Sequence, residues 1–320
     1  MDNLTHSLVG ALIGQAGLKR KTGLAMPALI IGANLPDVDA ACFFWLEGVE
    51  HLGFRRGITH GPPALVLLPL ILAALLWGFD RWQAKRGKRP EGRLPVHFGW
   101  LYGLALLGCL THPALDWLNV YGIRLLEPFS SQWFYGDTLF IIDVWLWALM
   151  GFATWFSLRR EKRGGEWMNP ARIAMVMALG YIGLNGAITA KAVDDVVQTH
   201  GENAVGANAV ASPVPFVFWE RETIRVDQSL LGQTVVYRIG RWPNSLENER
   251  QIPEFPCGPG TKLKQDEKTG PQVEAFLFWS RAPFAERAPD GSVILRDARF
   301  YDPRARERFS VALPGVKCEP

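Results

Sequence analysis

The sequence predicts an α-helical membrane domain followed by a small antiparallel β domain. Three observations predict it. The long apolar runs are confined to residues 1 to about 190. Charge, Pro and Gly dominate from about residue 191. The apolar runs after that point are short, β-branched and aromatic. The reading is a membrane-embedded helical domain over 1–190 and a β-rich domain over 191–320. A net charge of +3 across 320 residues, with the basic residues in short clusters, leaves no footprint for nucleic acid.

Residues 4–18 (LTHSLVGALIGQAGL) and 22–35 (TGLAMPALIIGANL) are each short for a full span. They read as an amino-terminal helical hairpin joined by Lys19, Arg20 and Lys21. No basic stretch precedes an apolar core at Met1 and no cleavage-like site follows one, so the amino terminus is read as retained. Residues 62–79 (PPALVLLPLILAALLWGF) carry no charge and read as a span. Residues 95–118, 138–158 and 170–190 supply three more, giving about four long spans. The 138–158 run is broken only by Asp143.

Arg81, Lys85, Arg86, Lys88, Arg89 and Arg93 follow the first long span. Arg159, Arg160, Lys162 and Arg163 follow the third. The positive-inside bias makes both loops cytoplasmic, and Lys19–Lys21 falls on the same side. Threading the chain then delivers His60, His112, Asp116, Asp137 and the 34–39 turn to the outer side. His6 lies toward the outer end of its helix. Asp143 lies about one and a half turns into its span. The carboxy-terminal domain is extracytoplasmic on this topology, in the periplasm of a double-membrane bacterium.

Five strands are expected in that domain: 214–219 (VPFVFW), 234–239 (TVVYRI), 273–280 (VEAFLFWS), 292–297 (SVILRD) and 308–313 (RFSVAL). Gly, Pro and Asn clusters separate them. Cys257 and Cys318 either pair, as an oxidising compartment allows, or stay free. Cys42 and Cys109 lie in apolar segments, and none of the four has metal-knuckle spacing.

The chemistry concentrates in LLGCLTHPALDWLNVYGIRLLEPFSSQWFYGDTLFIID (106–143). His112 and Asp116 are four residues apart and share a helix face, a ready pair of ligands for a divalent metal. Taken singly, His6 reads as a packing residue, NLPDVD (34–39) as a helix stop and RGITHGP (56–62) as a loop before a helix. Asp137 reads as a cap for a helix starting at Thr138. A carboxylate inside a span, as at Asp143, calls for a partner. Together, three histidines and five carboxylates gather on one membrane face, which caps and packing do not require. Imidazole and carboxylate donors suit Zn, Mn or Fe, with zinc the default for hydrolysis, and the set contains no thiolate.

MDNLTHSLVGALIG, NLPDVDA, RRGITHGP and HPALDWLNVYGIRLLEPFS resemble the YdjM-like family of bacterial inner-membrane-bound metal-dependent hydrolases. The resemblance covers residues 1 to about 190, and less specifically the tail through Ala211–Pro213 and RDARFYD (296–302). More distantly, the order His, Asp, His, HxxxD is similar to zinc-dependent phospholipase C and related single-strand nucleases. That likeness implies ligand roles for His6, Asp37 or Asp39, His60, His112 and Asp116. The chain departs from it in lacking a later HxxxE pair, for which Asp137 and Asp143 are the substitutes.

The expectation is therefore a membrane-bound metal-dependent hydrolase at the outer face of the inner membrane. His60, His112 and Asp116 hold one ion; His6 with Asp37 or Asp39 holds a second or completes the first. Asp39 or Asp143 acts as general base. The cofactor is one or two divalent ions, zinc by default. The partners are the lipid bilayer and a lipid or lipid-linked ester or phosphodiester, with Arg55, Arg56 and Arg124 facing an anionic head group. The alternative is a non-enzymatic membrane metal- or ion-binding protein, or a scaffold whose periplasmic β domain binds a partner.

Overall fold

The computed structural model describes residues 1–200, 209–228, 235–243, 245–253, 257, 270–303 and 305–318. The chain forms two compact units. One comprises Met1–Asp39 and Arg56–Gly186. The other comprises Ala40–Arg55 and Ala187–Pro320, so a short excursion from the helical region belongs with the β-rich part.

The first unit is helical. Helix α1 (Asn3–Gln15) starts because the Asp2 carboxylate accepts from the Leu4 and Thr5 amides, at 2.9 and 3.1 Å. Helix α2 (Ala25–Gly32) is followed by a 3₁₀ stretch, Leu35–Phe44, bent from it by 52°. A span on that path is therefore broken. Helices α4 (Pro62–Lys85) and α5 (Phe98–Trp117) are each long and apolar enough to cross a membrane, as is Met168–Thr199 within α7 (Met168–His200). With the bent pair counted as one, there are up to four such spans. On α4, Val66, Leu67, Ile71 and Leu75 are all more than half exposed, as lipid-facing side chains are when the chain stands alone.

The span expected over 138–158 is corrected. Residues 138–143 are not helical, and α6 runs from Val144 to Lys162. The Thr138 and Leu139 amides both donate to Leu118 O at 2.8 Å, and Asp2 N donates to Ile141 O at 3.2 Å. This segment spends its backbone on α5 and the amino terminus, so it cannot also wind into α6. Asp137 therefore caps no helix; Asp143 does, accepting from the Trp145 and Leu146 amides at 3.0 Å each.

Helices α1, α2 and α5 approach closely through small residues. A Cβ on Gly10 would lie 2.7 Å from Leu29 O, one on Gly32 2.6 Å from Ala105 O, and one on Gly108 2.5 Å from Leu29 O. This packing is what carries residues of three helices to one point.

In the second unit, β1 (Val210–Val214), β2 (Val217–Gln228), β3 (Val235–Trp242) and β4 (Ser245–Ile252) form an antiparallel sheet in sequence order. Strands β5 (Pro283–Arg287), β6 (Ser292–Asp297) and β7 (Ser310–Lys317) form another. Of the run 234–239, Thr234 lies outside the described residues. The strand expected over 273–280 is instead a helix, α8 (Gly270–Trp279). Its buried residues, Gly270, Val273, Phe276 and Trp279, recur every third position and pack toward α3 (His51–Phe54) and β7. Aromatic content suggested a strand, but burial follows a helical period. β1 (VASPV), β4 (SLENERQI) and β5 (PFAER) fall outside the expected strands because none alternates apolar and polar residues. Cys257 and Cys318 are disulfide-bonded.

Candidate metal centre

His112 lies one turn before the end of α5, and Asp116 follows on the same face. His6 is in the second turn of α1, and its ring stacks on that of His112 with centroids 3.7 Å apart. Asp37 arrives on the 3₁₀ stretch after α2, its amide tied to Asn34 O. His60 closes the 3₁₀ turn Ile58–His60, immediately before the prolines that open α4. All three imidazoles are 0% exposed and Asp116 is 1% exposed. Four chain segments thus meet in a site closed to bulk water.

Asp116 is the hub. Its Oδ1 lies 3.4 Å from His6 Nε2, and its Oδ2 lies 3.5 Å from His112 Nε2 and 3.6 Å from His60 Nε2. Two donors bound to one tetrahedral ion at about 2.1 Å are about 3.4 Å apart. His60, His112 and Asp116 therefore stand at the right spacing to hold an ion. A second group, His6, Asp37 and His112, shares His112, whose Nε2 lies 3.9 Å from Asp37 Oδ1.

Hydrogen bonding fixes which nitrogen faces the centre. His112 Nδ1 is 2.7 Å from the Ala33 carbonyl, so that nitrogen carries the proton and Nε2 presents a lone pair inward. Nε2 of His112 and both nitrogens of His6 are buried and make no hydrogen bond among the described residues. Buried polar atoms are nearly always satisfied, so these orphaned nitrogens fit a metal. His60 Nδ1 lies 3.0 Å from Thr59 Oγ1 and 3.7 Å from Asp39 Oδ2, while Thr59 Oγ1 donates to Asp39 at 3.3 Å. Asp39 also accepts from the Arg56 amide at 2.8 Å. It stands behind His60 and belongs to neither donor group.

Two cations complete the centre. Arg56 Nε is 2.9 Å from Asp116 Oδ2, and Nη1 donates to Asn119 Oδ1 at 2.9 Å and Gly122 O at 3.2 Å. The guanidinium also lies 4.5 Å from the Tyr121 ring centroid. The α-amino group of Met1 is ion-paired with Asp116 Oδ1.

Of the residues the sequence singled out, His6, Asp37, His60, His112 and Asp116 come together. Asp143 does not join them: it caps α6 and accepts from Tyr181 Oη at 3.0 Å. Arg56 is turned inward rather than toward a head group, and Arg124 is buried on Glu127 and over Trp133. Arg55 lies in the second unit, over Phe43. Sequence reasoning missed the pairing of Arg56 and of Met1 with Asp116. The available signal was that a buried carboxylate needs compensating charge, and Arg56 sits four residues before His60.

Residues 1–192 match the family described as YdjM inner membrane protein, and the chain belongs to that family. The chain is also similar to "Uncharacterized protein YfhP" of Bacillus subtilis (strain 168), 30% identical over 141 residues, which is 42% of this chain and 39% of the relative. The match thus spans about two fifths of that relative's length. No solved structure matches.

Proposed function

We propose that this YdjM-family membrane protein is a metal-dependent hydrolase, holding one or two divalent ions, zinc first, and acting on a lipid-like ester or phosphodiester. What carries the reading is a single arrangement: the Nε2 atoms of three buried imidazoles lie within 3.4–3.6 Å of one carboxylate. His60, His112 and Asp116 would hold one ion. His6 and Asp37 would complete that ion's coordination or hold a second without His112, whose one inward lone pair serves a single ion. An ion held there would supply Lewis acidity, acidifying a water and polarising the scissile group.

The chain's own residues do the rest. Arg56 supplies counter-charge to Asp116 and holds its carboxylate against the imidazoles. Ala33 O fixes the His112 tautomer, and Thr59 with Asp39 orients His60. Asp39, which stands against His60 and Thr59, is the candidate general base. The apolar, exposed flank of α4 supports a substrate with acyl chains. The Cys257–Cys318 disulfide supports placing the β-rich part outside the cytoplasm.

The test is hydrolysis by detergent-purified, zinc-loaded protein of bis-p-nitrophenyl phosphate and of a p-nitrophenyl acyl ester. Metal-dependent release from either, lost in His112→Ala, is the expected result. If protein with stoichiometric metal cleaves neither those nor phospholipid micelles, the hydrolase reading fails. A second reading, a metal- or ion-binding membrane protein without catalysis, is favoured by one observation: Arg56 and the Met1 amino group already neutralise Asp116.

A further inference from the structure

The opposite end of the first unit carries a feature the metal centre does not use. The turn joining α1 to α2 is clamped. Thr22 is buried; its Oγ1 accepts from the His97 amide at 2.9 Å and donates to Pro95 O at 3.3 Å. Gly23 N donates to Pro95 O at 3.1 Å, and a Cβ there would lie 2.4 Å from Leu94 O. Leu24 follows with φ 62°, a left-handed backbone that a bulky side chain rarely adopts.

Two open surface cavities border this turn. One, of about 620 Å³, is lined by Arg20, Leu24, Met26, Pro27, Leu94 and Trp167, among others. The other, of about 510 Å³, is lined by Lys21, His97 and Trp100. Lys19 is committed within this region: it pairs with Glu161 and lies 4.2 Å from the Trp167 ring centroid. The side chains of Arg20 and Lys21 are exposed and pair with no carboxylate among the described residues. Lys21 Nζ lies 5.1 Å from the Trp100 ring centroid. The region therefore offers two uncompensated cations beside apolar walls and two tryptophans.

We propose that this is a binding site for the phosphate head group of an anionic phospholipid. Arg20 and Lys21 meet the phosphate, and Leu24, Met26, Pro27 and Leu94 receive the first methylenes of the acyl chains. A soluble anion needs the cations alone; the apolar walls select a lipid. The position agrees, because α5 begins here at Phe98, where an apolar span meets the head-group layer. The same helix reaches the metal centre only at His112, on the order of 20 Å further along its axis. The two sites are therefore separate and their failures distinguishable.

The experiment is native mass spectrometry of the full chain released from detergent. It is titrated with phosphatidylglycerol or with phosphatidylcholine of equal chain length. The expected result is retention of the anionic lipid on the order of tenfold over the zwitterionic one, abolished by Arg20→Gln with Lys21→Gln. The paired control, Arg86→Gln with Lys88→Gln, removes the same charge from the end of α4 and should leave the preference intact. Excess glycerol phosphate should not displace the lipid. Equal retention of both lipids, equal loss in the control, or full displacement by glycerol phosphate overturns the proposal.

Discussion

Arg56 Nε sits 2.9 Å from Asp116 Oδ2, although 60 residues separate the two in the chain and three imidazoles surround the same carboxylate. The guanidinium shares with the Met1 amino group the counter-charge to this buried carboxylate. Asp39 and Arg56 are also the residues at which the chain leaves and re-enters the helical unit, and the Arg56 amide donates to Asp39.

Replacing Arg56 by Met leaves the buried Asp116 with the Met1 amino group as its remaining counter-charge. Removing one partner of a buried pair costs about 3–5 kcal/mol. We expect a lower melting temperature in detergent and a larger stabilisation by added zinc than the unaltered protein shows. Thermal unfolding with and without zinc measures both; an unchanged zinc increment contradicts the role assigned to Arg56.

His112 is common to both donor groups, so whichever is filled His112→Ala should lose the metal held there, whereas His6→Ala and His60→Ala should each lose less. Elemental analysis of the purified variants, with circular dichroism to confirm the helices, decides it. Equal metal content in all three would dismantle the two-group arrangement.

Thr59 and Asp39 support His60 from behind. Thr59→Val and Asp39→Asn should weaken metal binding about 10–100-fold while leaving an intact His60, as supporting-partner changes do elsewhere. Competition against a chelating dye gives the affinities. Wild-type affinity in both variants would show that His60 needs no such orientation.

The Cys257–Cys318 bridge joins residues 61 apart in the chain. In the chain-entropy view such a loop is worth about 4 kcal/mol. Cys257→Ser with Cys318→Ser should lower the melting of the β-rich unit and leave metal content unchanged. Thiol labelling before and after reduction reports whether the bridge is present in cells.

Much of this protein was legible in the chain alone. Membrane-length runs without charge need no tertiary information, because a bilayer accepts few other sequences. The i, i+4 pairing of His112 and Asp116 follows from helix geometry, and loop charge set the end of the bundle where His6, Asp37 and His60 would gather. The tertiary structure decided what local pattern cannot encode. Thr138 and Leu139 give their amides to Leu118, so the segment 138–143 that reads as helix is a strap, and Asp143 becomes a cap. Val273, Phe276 and Trp279 share a helical face because they have a helix to pack on, although their residue types favour a strand. Which carboxylate becomes the hub, and which is left behind His60, was settled only when glycine-lined contacts between α1, α2 and α5 drew His6 onto His112. Burial then forced a counter-charge, Arg56, onto Asp116. Those are energies of groups distant in sequence, and no window of sequence contains both partners.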